Sequence, residues 1–326
     1  MRVAILGAGG WGKNHVRTFC GILGEDAVVV CDPDSVRLEA ARTAHPGIET
    51  HDLPTFGGVD AVVVAAPAVL HFELARQALD AGCHTLVEKP MTLTSTEAEA
   101  LVRLADERGR ILMVDHLLEY HPAVVRLKAL VDEGCLGRLL HLTSRRLNLG
   151  VIRSEENALW SLAPHDISVI LHLLGEEPAE VIAEGATFLQ NGIPDLAHVT
   201  MRFESGASAH VHVSWLDPIK VRALSVVGED RMAVFDDGSD DKLVLIGARA
   251  RQVDGRYVAE RGDAERIELD RAEPLRCVAE SFLESVETGR PPTADGRDGL
   301  RVVRVLEAAQ QSLDAGGTWV EIGGGA

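Results

Sequence analysis

Residues near the N-terminus have the types and spacing that bind a dinucleotide. The chain reads Gly7-Ala8-Gly9-Gly10-Trp11-Gly12, a Gly-x-Gly-x-x-Gly pattern that follows an apolar run. Gly7 permits a tight turn, Gly9 lets the backbone approach a pyrophosphate, and Gly12 lets a helix pack closely on a strand. The N–H groups at the start of that helix would face the phosphates. The predicted phosphate-binding residues are Gly7, Gly9, Gly10, Trp11 and Gly12.

Asp32 lies twenty residues after Gly12, at the end of a second apolar run. A carboxylate there hydrogen-bonds the adenosine ribose hydroxyls and repels a 2′-phosphate, so the sequence predicts NAD rather than NADP. A turn residue before Pro33 is the alternative interpretation of Asp32. Arg37 could accommodate a phosphate in part, which leaves use of both dinucleotides open.

The tripeptide Glu88-Lys89-Pro90 offers proton transfer. A lysine that is partly desolvated, or near another cation, can have its pKa lowered toward working pH. Glu88 would orient Lys89 or contact the nicotinamide ribose; the alternative is a solvated charge pair at a strand end.

Short β-branched runs alternate with helical patterns over residues 1–115, which would position these groups. The predicted strands are Val3–Leu6, Val28–Cys31, Ala61–Ala65, Thr85–Val87 and Ile111–Val114. Unbroken apolar strands separated by helices predict a doubly wound parallel sheet covered on both faces. Residues 1–118 are therefore predicted to form a dinucleotide-binding Rossmann domain, and residues 119–326 a second α/β domain.

Polar side chains alternate along a long strand candidate in the second half, Arg138–Leu149. Alternation places Ser144, Arg146 and Asn148 on one face. Such a face suits sugar hydroxyls or a phosphate, and it equally suits solvent. Shorter runs between residues 181 and 235 predict an antiparallel sheet.

Taken together, these motifs resemble the Gfo/Idh/MocA oxidoreductases. The resemblance rests on the glycine turn, Asp32, Pro67 with His71, Glu88-Lys89-Pro90, a histidine motif near residue 165, and Phe282 with Gly289-Arg290-Pro291-Pro292. It implies a Rossmann domain, then an α/β domain with a large, mostly antiparallel open sheet that serves substrate binding and oligomerisation. It also implies hydride transfer between a nicotinamide and a hydroxyl-bearing carbon, with Lys89 beside both. Pro67, His71 and Glu88 would lie near the cofactor, although a surface histidine is the alternative for His71.

The segment Trp160-Ser161-Leu162-Ala163-Pro164-His165-Asp166-Ile167 corresponds to the family motif Asp-x-Gly-x-His, with Ser161 and Ala163 replacing the aspartate and the glycine. The resemblance makes His165 the partner of Lys89, either as an acid/base or as a hydrogen-bond donor to the reacting oxygen, and an ordinary histidine pKa near 6.5 suits the first role. Asp166 would orient its ring or cap the helix. Trp160 would stack on nicotinamide or sugar, or be a buried aromatic. Ser161, Trp160, Asp166, Arg146 and Asn148 form the predicted substrate site.

This motif variant resembles a subgroup that oxidises C3 of hexopyranoses in nucleotide sugars or aminoglycosides, supplying a keto group for amination. The sequence therefore predicts an NAD-dependent sugar dehydrogenase. One alternative is an NAD(P)H-dependent keto-sugar or imine reductase. Another is a non-catalytic dinucleotide-binding regulator.

Composition limits the partners. A net charge of −18 argues against nucleic acid and anionic membranes, and no apolar run is long enough to span a bilayer. Five scattered cysteines without a Cys-x-x-Cys pair predict free thiols in a cytoplasmic protein and no structural zinc. His210 and His212 alone do not predict a metal site. We expect a homodimer or homotetramer formed through the C-terminal sheet.

The charges also bear on the substrate. The acidic stretch Asp115–Glu119 favours a cationic amino sugar, whereas Arg145, Arg146 and Arg153 favour a nucleotide diphosphate.

Overall fold

The protein is described by a computed structural model over residues 1–323, and it divides into two compact units. Unit 1 comprises Met1–Tyr120 and Ala272–Val303; unit 2 comprises His121–Arg271 and the chain from Arg304 onward.

Unit 1 contains a parallel six-stranded sheet in the order β3-β2-β1-β4-β5-β6. Its strands are β1 (Val3–Leu6), β2 (Val28–Cys31), β3 (Glu49–His51), β4 (Ala61–Val64), β5 (His84–Val87) and β6 (Leu112–Val114). Strands β1, β2 and β4 are buried throughout, as their unbroken apolar sequences predict. Strand β3 is absent from the sequence prediction, because Glu-Thr-His has no apolar side chain.

The helices lie between and after these strands. They are α1 (Gly12–Leu23), α2 (Ser35–Ala44), α3 (His71–Asp80), α4 (Ser95–Arg108), α5 (Pro122–Asp132), α6 (Ala158–Leu162), α7 (Pro164–Leu174), α8 (Pro274–Thr288) and α9 (Gly296–Asp314). Helix α4 begins after Thr94, whose side chain accepts a hydrogen bond from Glu97 N at 3.2 Å and so caps the first turn. No helix within residues 1–323 has both the length and the apolar character needed to cross a lipid bilayer.

Unit 2 contains a nine-stranded sheet in the order β16-β13-β12-β11-β7-β10-β9-β8-β17, with a separate two-stranded ribbon of β14 and β15. The strands are β7 (Leu139–Leu147), β8 (Glu180–Ala186), β9 (Leu196–Arg202), β10 (Ser208–Ser214), β11 (Val221–Gly228), β12 (Met232–Asp236), β13 (Leu243–Ile246), β14 (Arg249–Val253), β15 (Arg256–Glu260), β16 (Ala264–Arg266) and β17 (Val320–Glu321). Strands β7 and β10 run parallel, and the other paired strands run antiparallel. The predicted fold class, a Rossmann domain followed by a mostly antiparallel open sheet, is confirmed.

The division of the chain differs from the single boundary predicted after residue 118. Residues 272–303 belong to unit 1 because helix α8 buries Val278, Ala279 and Phe282 in the same apolar cluster as Val3 and Ile5 of β1. Burial of that apolar surface stabilises α8 against the parallel sheet. No local pattern in the sequence indicates this, since the partners of α8 lie at the opposite end of the chain.

Candidate active site

The glycine turn between β1 and α1 has the close backbone contacts that its motif predicts. Gly7 has a φ of +105°, and a Cβ there would lie 2.5 Å from the carbonyl oxygen of Ala65. A Cβ on Gly12 would lie 1.9 Å from Gly7 O, so both positions exclude larger residues. Around Gly10, in contrast, a Cβ would have no heavy atom within 4 Å. Helix α1 begins without a side-chain cap at Trp11, so its positive end is available to an anion.

Asp32 lies at the carboxyl end of β2 and is 3% exposed. Its Oδ2 accepts a hydrogen bond from Ala8 N at 2.7 Å and its Oδ1 accepts one from Asp34 N at 2.8 Å. The bond from Ala8 N thus fixes the carboxylate against the glycine turn. The bond from Asp34 N is the contact expected of a turn residue before Pro33, which was the alternative interpretation. The guanidinium of Arg37 lies 3.6 Å from Asp32 Oδ2, so Arg37 belongs to the same group.

The Glu88-Lys89-Pro90 segment follows β5 and is held by buried partners. Glu88 is 7% exposed, which excludes the solvated-pair interpretation for this carboxylate, whereas Lys89 is half-buried. Lys89 N donates to Glu88 Oε2 at 3.3 Å. His71, at the start of α3 and 1% exposed, has Nδ1 2.8 Å from Pro90 O and Nε2 2.9 Å from Ala66 O.

The surface interpretation of His71 is therefore wrong. His71 joins the backbone after β4 to the backbone beside Lys89. Pro67, which precedes the short 3₁₀ turn leading into α3, is exposed at the same edge of the sheet.

A buried charge cluster lies behind Lys89. His15 of α1, which is fully buried, has Nε2 2.9 Å from Glu88 Oε1 and 3.4 Å from Asp115 Oδ2. The two carboxylates are adjacent because Val87 and Val114 are register partners in β5 and β6, and Asp115 N donates to Val87 O at 2.8 Å.

The environment of this cluster shifts each titration. Burial lowers the pKa of His15, but its contacts with Asp115 and Glu88 outweigh burial and raise the pKa to about 9. Burial and the charge of Glu88 raise the pKa of Asp115 to about 6. Burial also acts to raise the pKa of Glu88, but the contact with His15 and the charges of His15 and Lys89 hold it below its usual value.

A second buried cluster uses the rest of the acidic stretch. His116 Nδ1 lies 2.7 Å from Asp298 Oδ2 and 3.2 Å from Glu119 Oε1, and Arg301 donates to Asp298. Burial lowers the pKa of His116, but Asp298 and Glu119 raise it to about 10. Asp115, His116 and Glu119 are each at most 3% exposed. The expectation that this stretch attracts a cationic substrate is therefore wrong, because its charges are buried and paired inside unit 1.

In unit 2, a buried ion pair joins β7 to α7. Arg146 Nε donates to Asp166 Oδ2 at 2.6 Å, Arg146 Nη2 donates to Asp166 Oδ1 at 3.2 Å, and Ser144 Oγ donates to Asp166 Oδ1 at 2.5 Å. Ser144 and Arg146 share a face of β7, as alternation predicts. Asp166 makes no cap hydrogen bond at the start of α7. The expected helix cap is thus wrong: Asp166 fixes the first turn of α7, and with it His165, to the sheet.

The other predicted substrate residues also belong to unit 2. His165 is half-buried, on the turn of α7 that Asp166 fixes, and Ser161 of α6 is buried. The half-buried Trp160 donates from Nε1 to Gln310 Oε1 at 3.1 Å, so its indole is attached to α9. Asn148 directly follows β7 and is half-buried. This segment forms two helices, α6 and α7, because Pro164 has no N–H to continue the first.

Sequence reasoning missed His15, the role of Asp115, and Gln310. A signal existed for His15, which lies on the same face of α1 as the buried Phe19, four residues later. A polar residue on an apolar helix face indicates a buried partner. Asp115 and Gln310 carry no local signal.

Comparison with known proteins gives two family matches, one in each half of the chain. Residues 1–116 match the model of an oxidoreductase family with an NAD-binding Rossmann fold, and residues 124–234 match the Gfo/Idh/MocA C-terminal domain. The chain is 28% identical over 322 residues to a UDP-N-acetylglucosamine 3-dehydrogenase of Acidithiobacillus ferrooxidans, covering 97% of this chain and 98% of that protein. A solved structure of that enzyme superposes with a TM-score of 0.84 at 27% identity, over 97% and 98% of the two chains.

Two further solved structures are similar over nearly their whole length. A putative oxidoreductase from Magnetospirillum magnetotacticum is 31% identical, with a TM-score of 0.81 over 95% of this chain and 99% of that one. GenD2 from gentamicin A biosynthesis, solved in complex with NAD, is 25% identical, with a TM-score of 0.83 over 99% of this chain and 97% of that one.

Proposed function

Because this chain belongs to the Gfo/Idh/MocA oxidoreductase family, we propose that it oxidises a secondary hydroxyl of a hexopyranose, at C3, to a keto group. Its cofactor is NAD, the dinucleotide of the matched N-terminal family model, and the glycine turn and Asp32 fit it. The observation that carries the proposal is the place of Lys89. It follows the carboxyl end of β5, half-buried and next to the buried Glu88, at the same sheet edge as the glycine turn.

The position of each residue along the sheet edge suggests which part of the dinucleotide it would hold. In folds of this kind, ligands bind outside the carboxyl ends of the strands, with one mononucleotide half on each side of the point where strand order reverses. The glycine turn and Asp32 belong to the β1–β3 half and would hold the pyrophosphate and adenosine. Glu88, Lys89 and Pro67 belong to the β4–β6 half, and so they would border the nicotinamide.

The proposed reaction separates a proton from a hydride. Lys89, as the neutral amine, takes the proton from the substrate hydroxyl. As the carbonyl forms, the C–H bond breaks and the hydrogen leaves the carbon as hydride, with both bonding electrons. Bound NAD supplies the acceptor for that hydride. A role for His165 in this proton transfer stays a prediction from the family resemblance. Protonated Lys89 then returns the proton to water, so the products are a ketone, reduced cofactor and one proton.

The position oxidised and the carrier of the sugar are proposed from the relatives. One relative is named a UDP-N-acetylglucosamine 3-dehydrogenase, and GenD2 comes from gentamicin A biosynthesis. We accordingly propose a nucleotide sugar or an aminoglycoside as substrate, with the keto product passing to an aminotransferase. Two of the arginines that would favour a nucleotide diphosphate have acidic partners in this chain. Arg146 is paired with Asp166, and the exposed Arg153 lies 3.2 Å from Glu156.

A substrate screen tests the activity. NADH formation would be followed with UDP-N-acetylglucosamine, aminoglycosides, inositols and free hexoses, each coupled to a sugar aminotransferase that removes the ketone. We expect turnover with a nucleotide sugar or an aminoglycoside. Tight NAD binding without oxidation of any of these compounds would contradict the proposal.

A lysine substitution tests the mechanism. Lys89→Met should lower kcat by about 10²–10⁴-fold, because general-base catalysis contributes on that scale, and should change NAD affinity by less than about 3-fold. Lys128→Met on α5 removes a lysine from unit 2 as the matched control. Near wild-type turnover by Lys89→Met would refute the assignment.

We further propose a homodimer or homotetramer formed through the nine-stranded sheet. One face of that sheet carries two pairs of histidine rings, His198 with His212 at 4.1 Å between centroids and His141 with His210 at 4.9 Å. These side chains are half-buried or exposed in the single chain and could be covered by a second copy. Light scattering on the protein as it elutes from a size-exclusion column would test this by its molar mass. The mass of a monomer at all concentrations would refute it.

A further inference from the structure

We propose that His15 and Asp115 are positioning residues that, together with Glu88, set the charge next to Lys89 and the nicotinamide ring. The inference rests on the proposed function for the role of Lys89 as proton acceptor. Its effect on the cofactor, however, can be measured by binding alone.

The cluster is placed by tertiary structure at the nicotinamide half of the sheet edge. Glu88 and Asp115 follow the adjacent strands β5 and β6 at the same level, and His15 reaches both from the first turn of α1. All three side chains are at least nine-tenths buried. Their charges are therefore poorly screened by water and act strongly on a neighbouring charge.

The members are held unequally. Glu88 contacts His15 through Oε1 and Lys89 N through Oε2. Asp115 contacts His15 through Oδ2 only, and within residues 1–323 its buried Oδ1 has no hydrogen-bond partner. Two neighbouring buried carboxylates resist ionising together, and the proton goes to the one with fewer donors. Asp115 is therefore the member whose charge changes, and its pKa of about 6 agrees.

The net charge of the cluster follows from this order. Below about pH 6, protonated Asp115 leaves one cation, His15, against one anion, Glu88. Above it, one cation faces two anions, so the cluster carries one net negative charge. Lys89, beside Glu88, and His71 of α3 are the other charged or titratable groups that act on the cluster.

One negative charge would distinguish the two forms of the cofactor. The oxidised nicotinamide ring is a cation and the reduced ring is neutral, whereas the rest of the molecule is the same. The ratio of the two affinities therefore isolates the charge near the ring, because contributions from the pyrophosphate and adenosine cancel. The cluster should favour the oxidised form more strongly above about pH 6 than below it.

The test compares the Kd of NAD⁺ and of NADH, by titration from about pH 5 to about pH 8, for wild type and Asp115→Asn. We expect the wild-type preference for NAD⁺ to rise by about 3–10-fold over that range, because ionised Asp115 adds one poorly screened negative charge near the ring. Asp115→Asn has the same shape without the charge, and its ratio should stay flat. Glu107→Gln, at an exposed position of α4, is the matched control and should follow wild type.

His15→Gln provides a second variant. Loss of the cation makes ionisation of Asp115 harder, so the midpoint of the pH dependence should move upward by about one unit or more. Equal pH dependence of the ratio in wild type and Asp115→Asn, with equal thermal midpoints, would overturn the inference. If the ratio behaves as expected but no sugar is oxidised, the inference stands for the cofactor and the proposed function fails. If a sugar is oxidised but the ratio does not change with pH, the proposed function stands and the inference fails.

Discussion

The buried ion pair between Arg146 and Asp166 allows a quantitative test of how unit 2 is held together. The two side chains are 8% and 6% exposed and share two hydrogen bonds, and Ser144 adds a third to Asp166. Asp166→Ala would leave the Arg146 guanidinium buried without its counterion and would release the first turn of α7, including His165.

The expected cost follows from burial. Removing one partner of a buried pair typically costs about 3–5 kcal/mol, because the remaining charge keeps its desolvation penalty. Arg153 and Glu156 form an exposed pair, with side-chain exposures of 49% and 24%. Removal of that pair by Glu156→Ala should cost less than about 1 kcal/mol. The two variants each delete one carboxylate that faces an arginine, so their difference measures burial.

Urea unfolding followed by circular dichroism would give both free energies of unfolding. The double variant Arg146→Met with Asp166→Leu should recover most of the loss, because well-packed apolar side chains of similar volume can replace a buried pair. If Asp166→Ala cost no more than Glu156→Ala, the reasoning would be refuted. The double variant also tests the predicted substrate contact of Arg146, since an unchanged KM would exclude that contact.

Three further predictions concern the glycine turn, Asp32 and the buried His116. Gly12→Ala should abolish NAD binding and lower Tm, because its Cβ would lie 1.9 Å from Gly7 O, whereas Gly10→Ala should stay within about 2 °C of wild type; calorimetry checks both. Asp32→Asn should weaken NADH binding by about 10-fold and reduce the preference over NADPH, as fluorescence titration would show. His116 has a pKa raised to about 10, so its contribution to stability is complete below about pH 6.5 and lost as pH rises through about 10. The Tm difference between wild type and His116→Gln should therefore be largest near pH 6 and shrink by about pH 10; a constant difference would contradict the pairing.

Local signals predict the elements that they control. Strands Val3–Leu6 and Val28–Cys31 have the predicted bounds, because the signal of an unbroken apolar run acts within a few residues. The ribbon of β14 and β15 is absent from the sequence prediction. Every residue of β14 is exposed, so its sequence carries no apolar alternation to recognise.

By itself, the sequence determined the fold class and the local segments that we propose bind the dinucleotide. The conformational freedom of Gly7, the size limit at Gly12 and the place of Asp32 after β2 are properties of one residue in its local segment. Tertiary structure alone decided which charged side chains are buried and which of them are paired. Glu88 and Asp115 became a buried pair only because β5 and β6 are neighbours, and His15 joined them from α1. The net charge of −18 could not reveal this, because the effect of a charge depends on its burial and on the charges beside it.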